Sequence, residues 1–493
     1  MIKPQTSSLA YTRQVAALSP QSVAETKFTA SECAGEVLAV CPQVSLLTCE
    51  VASGRVNYSG KIIITVVYAD DEGKLCRIQK GAEFSHFCDD ENLAPAQTAV
   101  CSLECERVSV RREGSSLAVS AVISANIDVF APAERTFITA CEGAYLKTKP
   151  EEFCSCVTFS GECEVEDDFD ADGVDDILIP SASALVTSAE CGTGEITVSG
   201  DINLSLLAMR RSAPASMERV IPFRCSVACE DSPAGALPLV NAEVRDMTVN
   251  ATVDGERGKC RVEFSCTLAV CGSFVVKSEQ AAASDAFSCT HKLKTSVQSE
   301  SFVCVGERKL YSERVSSAAA SGAKLDFTCR FLAVALPSAE YEYCPASGAV
   351  EGSVNAVLIY EQGGEVKSSD IKIPFAVRVG APHSADIQVS VAACGVSVKQ
   401  PVEGQLEGEA LVKISVCYLR RSEAQYLTSV EEGEETSPSD SAISVIMPSQ
   451  GDGLWDVAKK LNCPPDDVAA GNPELKYPLT GKERILIYRV KTN

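Results

Sequence analysis

Gly60-Lys61-Ile62-Ile63-Ile64-Thr65-Val66-Val67-Tyr68 is the stretch on which the fold turns. Its run of β-branched residues favours a strand, because branched side chains pack well on a pleated surface. Glycine opens it, and the turn Asp70-Asp71-Glu72-Gly73 closes it. The stretch recurs as Gly352 to Tyr360 and, less strictly, as Gly200 to Ala208. Each copy reaches a phenylalanine, Phe84, Phe223 or Phe375, at 24, 23 and 23 residues after its glycine. Before the glycine, Leu38-Ala39-Val40 leads to Ala52-Ser53-Gly54, as Leu332-Ala333-Val334 leads to Ala346-Ser347-Gly348. Both intervals are 14 residues, so a whole unit repeats and not a tripeptide.

Between Ala-Ser-Gly and the second glycine the third copy is two residues shorter than the first. An even deletion keeps every side chain on its own face, because strand side chains alternate with period two. After each phenylalanine comes a second strand pair: Glu104 to Arg111 with Ser116 to Phe130, Glu243 to Val253 with Lys259 to Phe274, and Ile387 to Lys399 with Gly408 to Leu419. Glu113-Gly114, Gly255-Glu256-Arg257-Gly258 and Glu403-Gly404 are the turns between them. The links Glu142-Gly143-Ala144-Tyr145 and Ser284-Asp285-Ala286-Phe287-Ser288 join successive units. The expected fold is mainly β, with three tandem sandwich-like repeats at 31–155, 156–305 and 306–430. Residues 1–30, polar and rich in Ser, Ala and Gln, read as a lead-in, with Tyr11 to Ala24 as a short helix.

A net charge of -23 repels phosphate backbones and anionic lipid, which argues against nucleic acid as a partner. With 24 cysteines, no secretion-type start and no repeated Cys-x-x-Cys spacing, the thiols read as reduced core filler in a soluble intracellular protein, as at Cys225, Cys266, Cys271 and Cys329. A zinc site at Cys76, His86 and Cys88 is the weaker alternative. The carboxylates from Glu164 to Asp176 lack calcium-loop order and read as a solvated loop. Only His86, His291 and His383 exist, in non-equivalent places, and no phosphate-binding glycine loop is present; no enzyme, metal or cofactor is expected.

From 431 to 442 the text turns to Glu, Gly, Pro and Ser, an expected extended linker. Residues 443–493 then read strand, helix, helix, strand, a small α+β unit. Leu454, Val457, Ala458 and Leu461 share one helical face, with Asp452 placed to cap it. A second helix begins at Pro464-Pro465 and stops at Gly471-Asn472-Pro473; Ile485-Leu486-Ile487 closes the unit.

The glycine-flanked strand, the Pro-Phe or Glu-Phe closure and the Asp-Ala-aromatic-Ser link resemble the SPOCS domain of spore-coat assembly proteins in endospore-forming bacteria, over about residues 30 to 430. Gly451-Asp452-Gly453-Leu454-Trp455-Asp456-Val457-Ala458, with Asn472-Pro473, resembles the LysM module. Together they resemble SipL-type proteins and, in architecture, SpoVID-type ones. The LysM resemblance implies a binding groove along Gln450, Gly451, Asp452, Gly453, Leu454 and Trp455 and along Asn472, Pro473, Glu474, Leu475 and Tyr477. Gly453 stands where that family carries a hydroxyl residue, which weakens the glycan reading. The whole resemblance implies a non-enzymatic scaffold in the mother-cell cytoplasm at the forespore surface. Its partners would be the coat basement-layer morphogenetic ATPase (SpoIVA-like) and other coat proteins. A cell-wall protein binding N-acetylglucosamine glycans is the alternative. For Trp455 packing over the small core is the favoured reading and a place in the groove the other.

Overall fold

Gly60 lies directly across the sheet from Phe84, Gly200 from Phe223 and Gly352 from Phe375. The constant interval seen in the sequence is therefore a cross-strand pair. A Cβ at position 60 would come within 2.5 Å of the Phe84 ring, and one at position 200 within 2.6 Å of Phe223 and 2.2 Å of the Leu185 carbonyl. At Gly352 the obstacle is the Glu340 carbonyl, 2.0 Å away. Each glycine gives up a side chain so that a neighbour can occupy its place.

The structure, a computed structural model, describes residues 2–29, 36–70, 72–113, 116–254, 259–380, 386–436 and 443–488. Asp71, Gly114, 255–258, His383 and 437–442, to which turns, a histidine and half of the linker were assigned, lie outside them.

The protein is mainly β, and its three repeats share one topology. A three-stranded antiparallel meander, Val37–Ala52, Arg55–Ala69 and Leu75–Asp89 in the first, faces a second sheet built on a long hairpin, Thr98–Glu113 with Ser116–Glu142. The second repeat has the meander Val174–Gly192, Glu195–Arg210 and Ala213–Ala228, and the hairpin Leu239–Asp254 with Lys259–Phe287. The third has Arg330–Cys344, Ala349–Gln362 and Glu365–Arg378, then Ile387–Val402 with Gln405–Glu435. Ile62, Ile64 and Val66, at most 1% exposed, face the hairpin sheet across a sandwich core. The two-residue deletion leaves Gly352 opposite its phenylalanine because it falls at the hairpin end. At the other end of the central strand, between Gln362 and Glu365, Gly363 and Gly364 both take positive φ, the geometry a two-residue hairpin turn needs.

The opposite face of each central strand explains why the opening stretch reads apolar at nearly every position. Val67, Leu207 and Ile359 each stand seven residues after their glycine, and all three meet in one cluster with Leu38, Ile179 and Ala333. The repeats thus converge on a common junction rather than trailing like beads.

The long hairpin strands run past their sandwiches and pair with strands that precede each meander. Lys3–Leu18 pairs with 127–142, the start of Tyr145–Asp172 with 274–287, and the start of His291–Ser321 with 419–435. The consecutive pairs Phe137-Ile138, Ala282-Ala283 and Tyr426-Leu427 are all buried, in two clusters each drawn from all three repeats. Successive strand side chains point to opposite faces, so each ribbon is covered on both sides by the other two. Arg135 lies among them with its side chain fully buried and its guanidinium carbon 3.6 Å from the Tyr11 ring centroid. Its Nη1 is 3.2 Å from Glu300 Oε2, and its Nη2 donates to the Cys154 carbonyl at 2.6 Å. Tyr426 and Tyr11 hydroxyls donate to Glu300 Oε1 at 2.7 and 3.2 Å.

Four sequence expectations change. The lead-in with its Tyr11 to Ala24 helix is two strands, Lys3–Leu18 and Gln21–Thr29, because pairing to Ser116–Glu142 outweighs weak local helix preference. Residues 431–435 are not linker but the end of a strand, where Glu431 pairs with Lys294. The Glu164 to Asp176 run is strand as well, with Arg219 3.0 Å from Asp167 and Arg261 2.6 Å from Asp168. Cys76 and Cys88 lie near opposite ends of one strand, about 40 Å apart at ~3.3 Å per residue, too far to share a zinc ion. Burial pushes Cys41 up to about 12 and Cys266 and Cys271 up to about 11, which keeps them protonated core thiols.

Two outcomes test this architecture. Gly200→Ala should cost about 1–3 kcal/mol in denaturant unfolding through forced overpacking, with Phe223→Leu in the same chain restoring part of it. Arg135→Ala should cost about 3–5 kcal/mol by stranding Glu300, whereas Arg135→Met with Glu300→Gln, which keeps the tyrosine acceptor, should cost clearly less.

Candidate functional site: the terminal module

The strand Ile443–Ile446, the helices Leu454–Leu461 and Pro465–Gly471, and the strand Ile485–Tyr488 form the small βααβ unit. Val457 and Ala458 are buried, and with Leu454 and Leu461 they pack against Val468, Leu479, Ile485 and Ile487, so the helical face read from the spacing is the core face.

Asp452 does not cap the first helix. Gly453 holds the capping position with extended backbone, and Asp456 reaches back to accept its N–H at 2.8 Å. Asp452 instead accepts the Ser449 N–H at 2.7 Å and pairs with Lys460 at 2.6 Å, contacts that hold its carboxyl below the usual range. Having no side chain, Gly453 leaves one half of the reciprocal cap unmade.

The two candidate loops are tied together: Gly451 N–H donates to the Leu479 carbonyl at 2.8 Å, and Leu479 N–H to that of Asp452 at 2.9 Å. Along them Gln450, Gly451, Pro473 and Glu474 are exposed, while Leu454, Leu475 and Tyr477 lean on the core. Asn472 is engaged structurally, its Nδ2 donating to the carbonyls of Val468 and Leu486 at 3.0 and 2.8 Å and its Oδ1 accepting the Leu486 N–H at 2.9 Å.

Trp455 does not line an open groove. Its indole N–H donates to Asp285 Oδ2 at 2.8 Å, and its ring stands edge-on to Phe287, centroids 4.9 Å apart. Lys459 Nζ is 2.7 and 2.8 Å from the Asp285 oxygens, and Phe287 stacks on Tyr145 at 5.3 Å. The module therefore docks on the end of the second repeat's ribbon, through the Asp-Ala-Phe link that the sequence had marked only as a connection. Burial opposes the charged form of Asp285, but Lys459 and the indole N–H together hold its carboxyl below the usual range.

A cavity of about 1250 Å³ lies among the three repeats, and both basic groups that line it are paired: Arg245 is 2.9 Å from Glu243 and 3.3 Å from Glu162, and Lys372 is 3.3 Å from Glu340. Among the described residues no group of His, Cys, Asp and Glu is placed to hold a metal ion, and no helix is long and apolar enough to cross a membrane.

Residues 33–113 match the family model described as SipL, SPOCS domain. The match runs over the first meander and the first strand of its hairpin, and so supports the SPOCS reading where the sequence repeat is clearest. No curated protein and no solved structure matches the chain.

Because the Asp285 carboxyl is depressed in the docked state, its contribution to docking is complete above the ordinary value near pH 4 and is lost as pH falls through the lowered one. Trp455 emission should hold steady down to about pH 4 and shift red below it; Asp285→Asn should weaken docking at neutral pH and abolish that acid step. Gly453→Ser, which completes the cap, should stabilise the module by a few tenths of a kcal/mol in the same emission-monitored unfolding.

Proposed function

We propose that this chain is a non-enzymatic scaffold of endospore coat assembly, in which three SPOCS-type repeats form a rigid body and the terminal LysM-like module recruits coat morphogenetic proteins at the forespore surface. The observation that carries the reading is the match of residues 33–113 to a sporulation domain. The repeated architecture supports it, since the glycine-phenylalanine pair recurs in all three units and their equivalent strands share one junction. The partner we infer is the morphogenetic ATPase of the coat basement layer, met at the exposed loop residues Gln450, Gly451, Pro473 and Glu474. Tethering to a large body raises the local concentration of whatever the module holds.

Glycan binding is the weaker reading for this module. Gly453 offers no hydroxyl, the Asn472 amide is spent on the closing strand, and the Trp455 indole N–H is spent on Asp285.

A fluorescent fusion of the full chain should ring the developing forespore, and deletion of 443–493 should leave the ATPase unable to retain it there. Uniform peripheral staining of vegetative cells, or a saturable change in Trp455 emission with chitooligosaccharide and none with the ATPase, would overturn the assignment in favour of cell-wall binding.

A further inference from the structure

We propose that the outer edge and outer face of the terminal two-stranded sheet form a docking site for an extended partner segment that alternates apolar with acidic side chains. The inference rests on reading the module as a partner-recognition unit, and it adds a second surface on the module beyond its loops.

Ile443–Ile446 runs antiparallel to Ile485–Tyr488, with Ser444 opposite Ile487, Val445 opposite Leu486 and Ile446 opposite Ile485. Ile485 and Ile487 point into the core, 0% and 3% exposed. The pleat therefore turns Val445 and Leu486 to the other face, the two-residue period brings Ile443 with Val445, and Met447 follows directly on the strand end. All four are open to solvent: Ile443 at 55%, Val445 at 59%, Met447 at 66% and Leu486 at 38%. Single exposed apolar residues are ordinary, but a whole sheet face of them in so small a module marks a contact surface.

Backbone hydrogen bonding tells which edge is free. The Leu486 N–H and C=O are both satisfied by the Asn472 side-chain amide, so they point away from the partner strand and that edge is closed. Directly opposed residues in an antiparallel ladder turn their polar groups either both toward each other or both away. Val445 therefore aims its own N–H and C=O outward, at an edge that pairs with no other strand among the described residues. Natural edges are blunted by lysine, proline or a bulge, and Ile443-Ser444-Val445-Ile446-Met447 has none of these. An added strand would pair with Val445 and lay alternate side chains along the apolar face, the mode in which main-chain bonds give affinity and side chains give selectivity.

Charge selects the occupant. Arg484, just beyond the last strand pair, and Lys482 are exposed, and Arg484 makes no ion pair among the described residues. Residues 443–493 hold seven Lys and Arg against six Asp and Glu, whereas the chain as a whole carries -23. At physiological salt charges act over about 8 Å, so a docked segment feels the local cations, while a second copy of this acidic chain is repelled.

The test uses the full chain and fluorescently labelled eight-residue peptides, one alternating Val with Glu and one alternating Val with Lys, followed by anisotropy at low and physiological salt. Val445→Pro removes only an outward N–H and should leave thermal unfolding unchanged; Val445→Glu places a like charge on the face. The Val-Glu peptide should saturate wild type, bind each variant at least tenfold more weakly and lose affinity with salt, while the Val-Lys peptide should not saturate. Equal binding to Val445→Pro, preference for the Val-Lys peptide, or no binding of either would overturn the proposal. So would a wild-type dimer in sedimentation that Val445→Pro dissolves, since the edge would then serve a second copy. If Gln450→Ala with Glu474→Ala releases the morphogenetic ATPase and Val445→Pro does not, the strand-docking site is wrong and the recruiting module stands.

Discussion

A guanidinium sealed from water sets the terms for the rest of this structure. Arg135 stands on Ser116–Glu142, the carbonyl it donates to is that of Cys154 on Tyr145–Asp172, and its counter-charge is Glu300 on His291–Ser321, three different ribbons. Taking both ions out of water costs several kcal/mol each, of which their attraction at 3.2 Å and the hydrogen bonds to the other Glu300 oxygen repay part, while Arg135 Nε makes no hydrogen bond. Tyr11 and Tyr426 donate to one Glu300 oxygen, and the faces of Tyr11, Phe153 and Phe302 surround the cation at 3.6, 5.1 and 5.6 Å. No ribbon alone supplies that set. Withdrawing one ribbon would leave an uncompensated charge in an apolar interior, so the three close together or not at all.

The same dependence appears at the other end of the repeats. A strand buried on one face reads as an alternation of apolar and polar residues, yet Ile62 through Ala69 is almost wholly apolar. Even-numbered residues serve the sandwich, and Val67 and Ala69 serve the junction shared with Leu207 and Ile359. A near-continuous apolar strand is the signature of burial on both faces. Here the second face is covered by sister repeats instead of helices.

Much of this was legible because the repeat is strict where packing is strict. The glycine-to-phenylalanine interval survives since any side chain at Gly60 or Gly200 strikes an aromatic ring, and that constraint leaves a mark in the text. The ribbons left almost none. Lys277 to Ala283 and Arg420 to Glu423 are rich in Ala, Glu and Lys or Arg, residues without strand preference, and their partners lie more than a hundred positions away. For the same reason Tyr11 to Ala24 offered a weak helix and not strands: its reason to be extended is the pairing with Ala121 to Ala133. In the terminal module the helical face was readable from spacing alone, whereas the cap was misplaced by one residue because a glycine at that position announces nothing. The role of Asp285 was invisible, since a lone acid in a connecting link has no pattern to betray a partner 170 residues downstream.

That hidden contact has a thermodynamic consequence. A unit as short as 443–488 has few buried side chains of its own, and below roughly 70–80 residues a single core rarely supplies more than a few kcal/mol. Phe287, from the second repeat, belongs to the module's core cluster and is buried there, with Cys289 packed beside it. Docking and folding of the module are therefore linked: whatever stabilises the Trp455–Asp285–Lys459 contact also stabilises the fold that presents the exposed loops and the open strand edge. A partner gripping those outer surfaces need not touch the docking face to feel it. Binding energy that favours the folded module is shared with the docked state, so recruitment and rigid attachment reinforce each other by mass action.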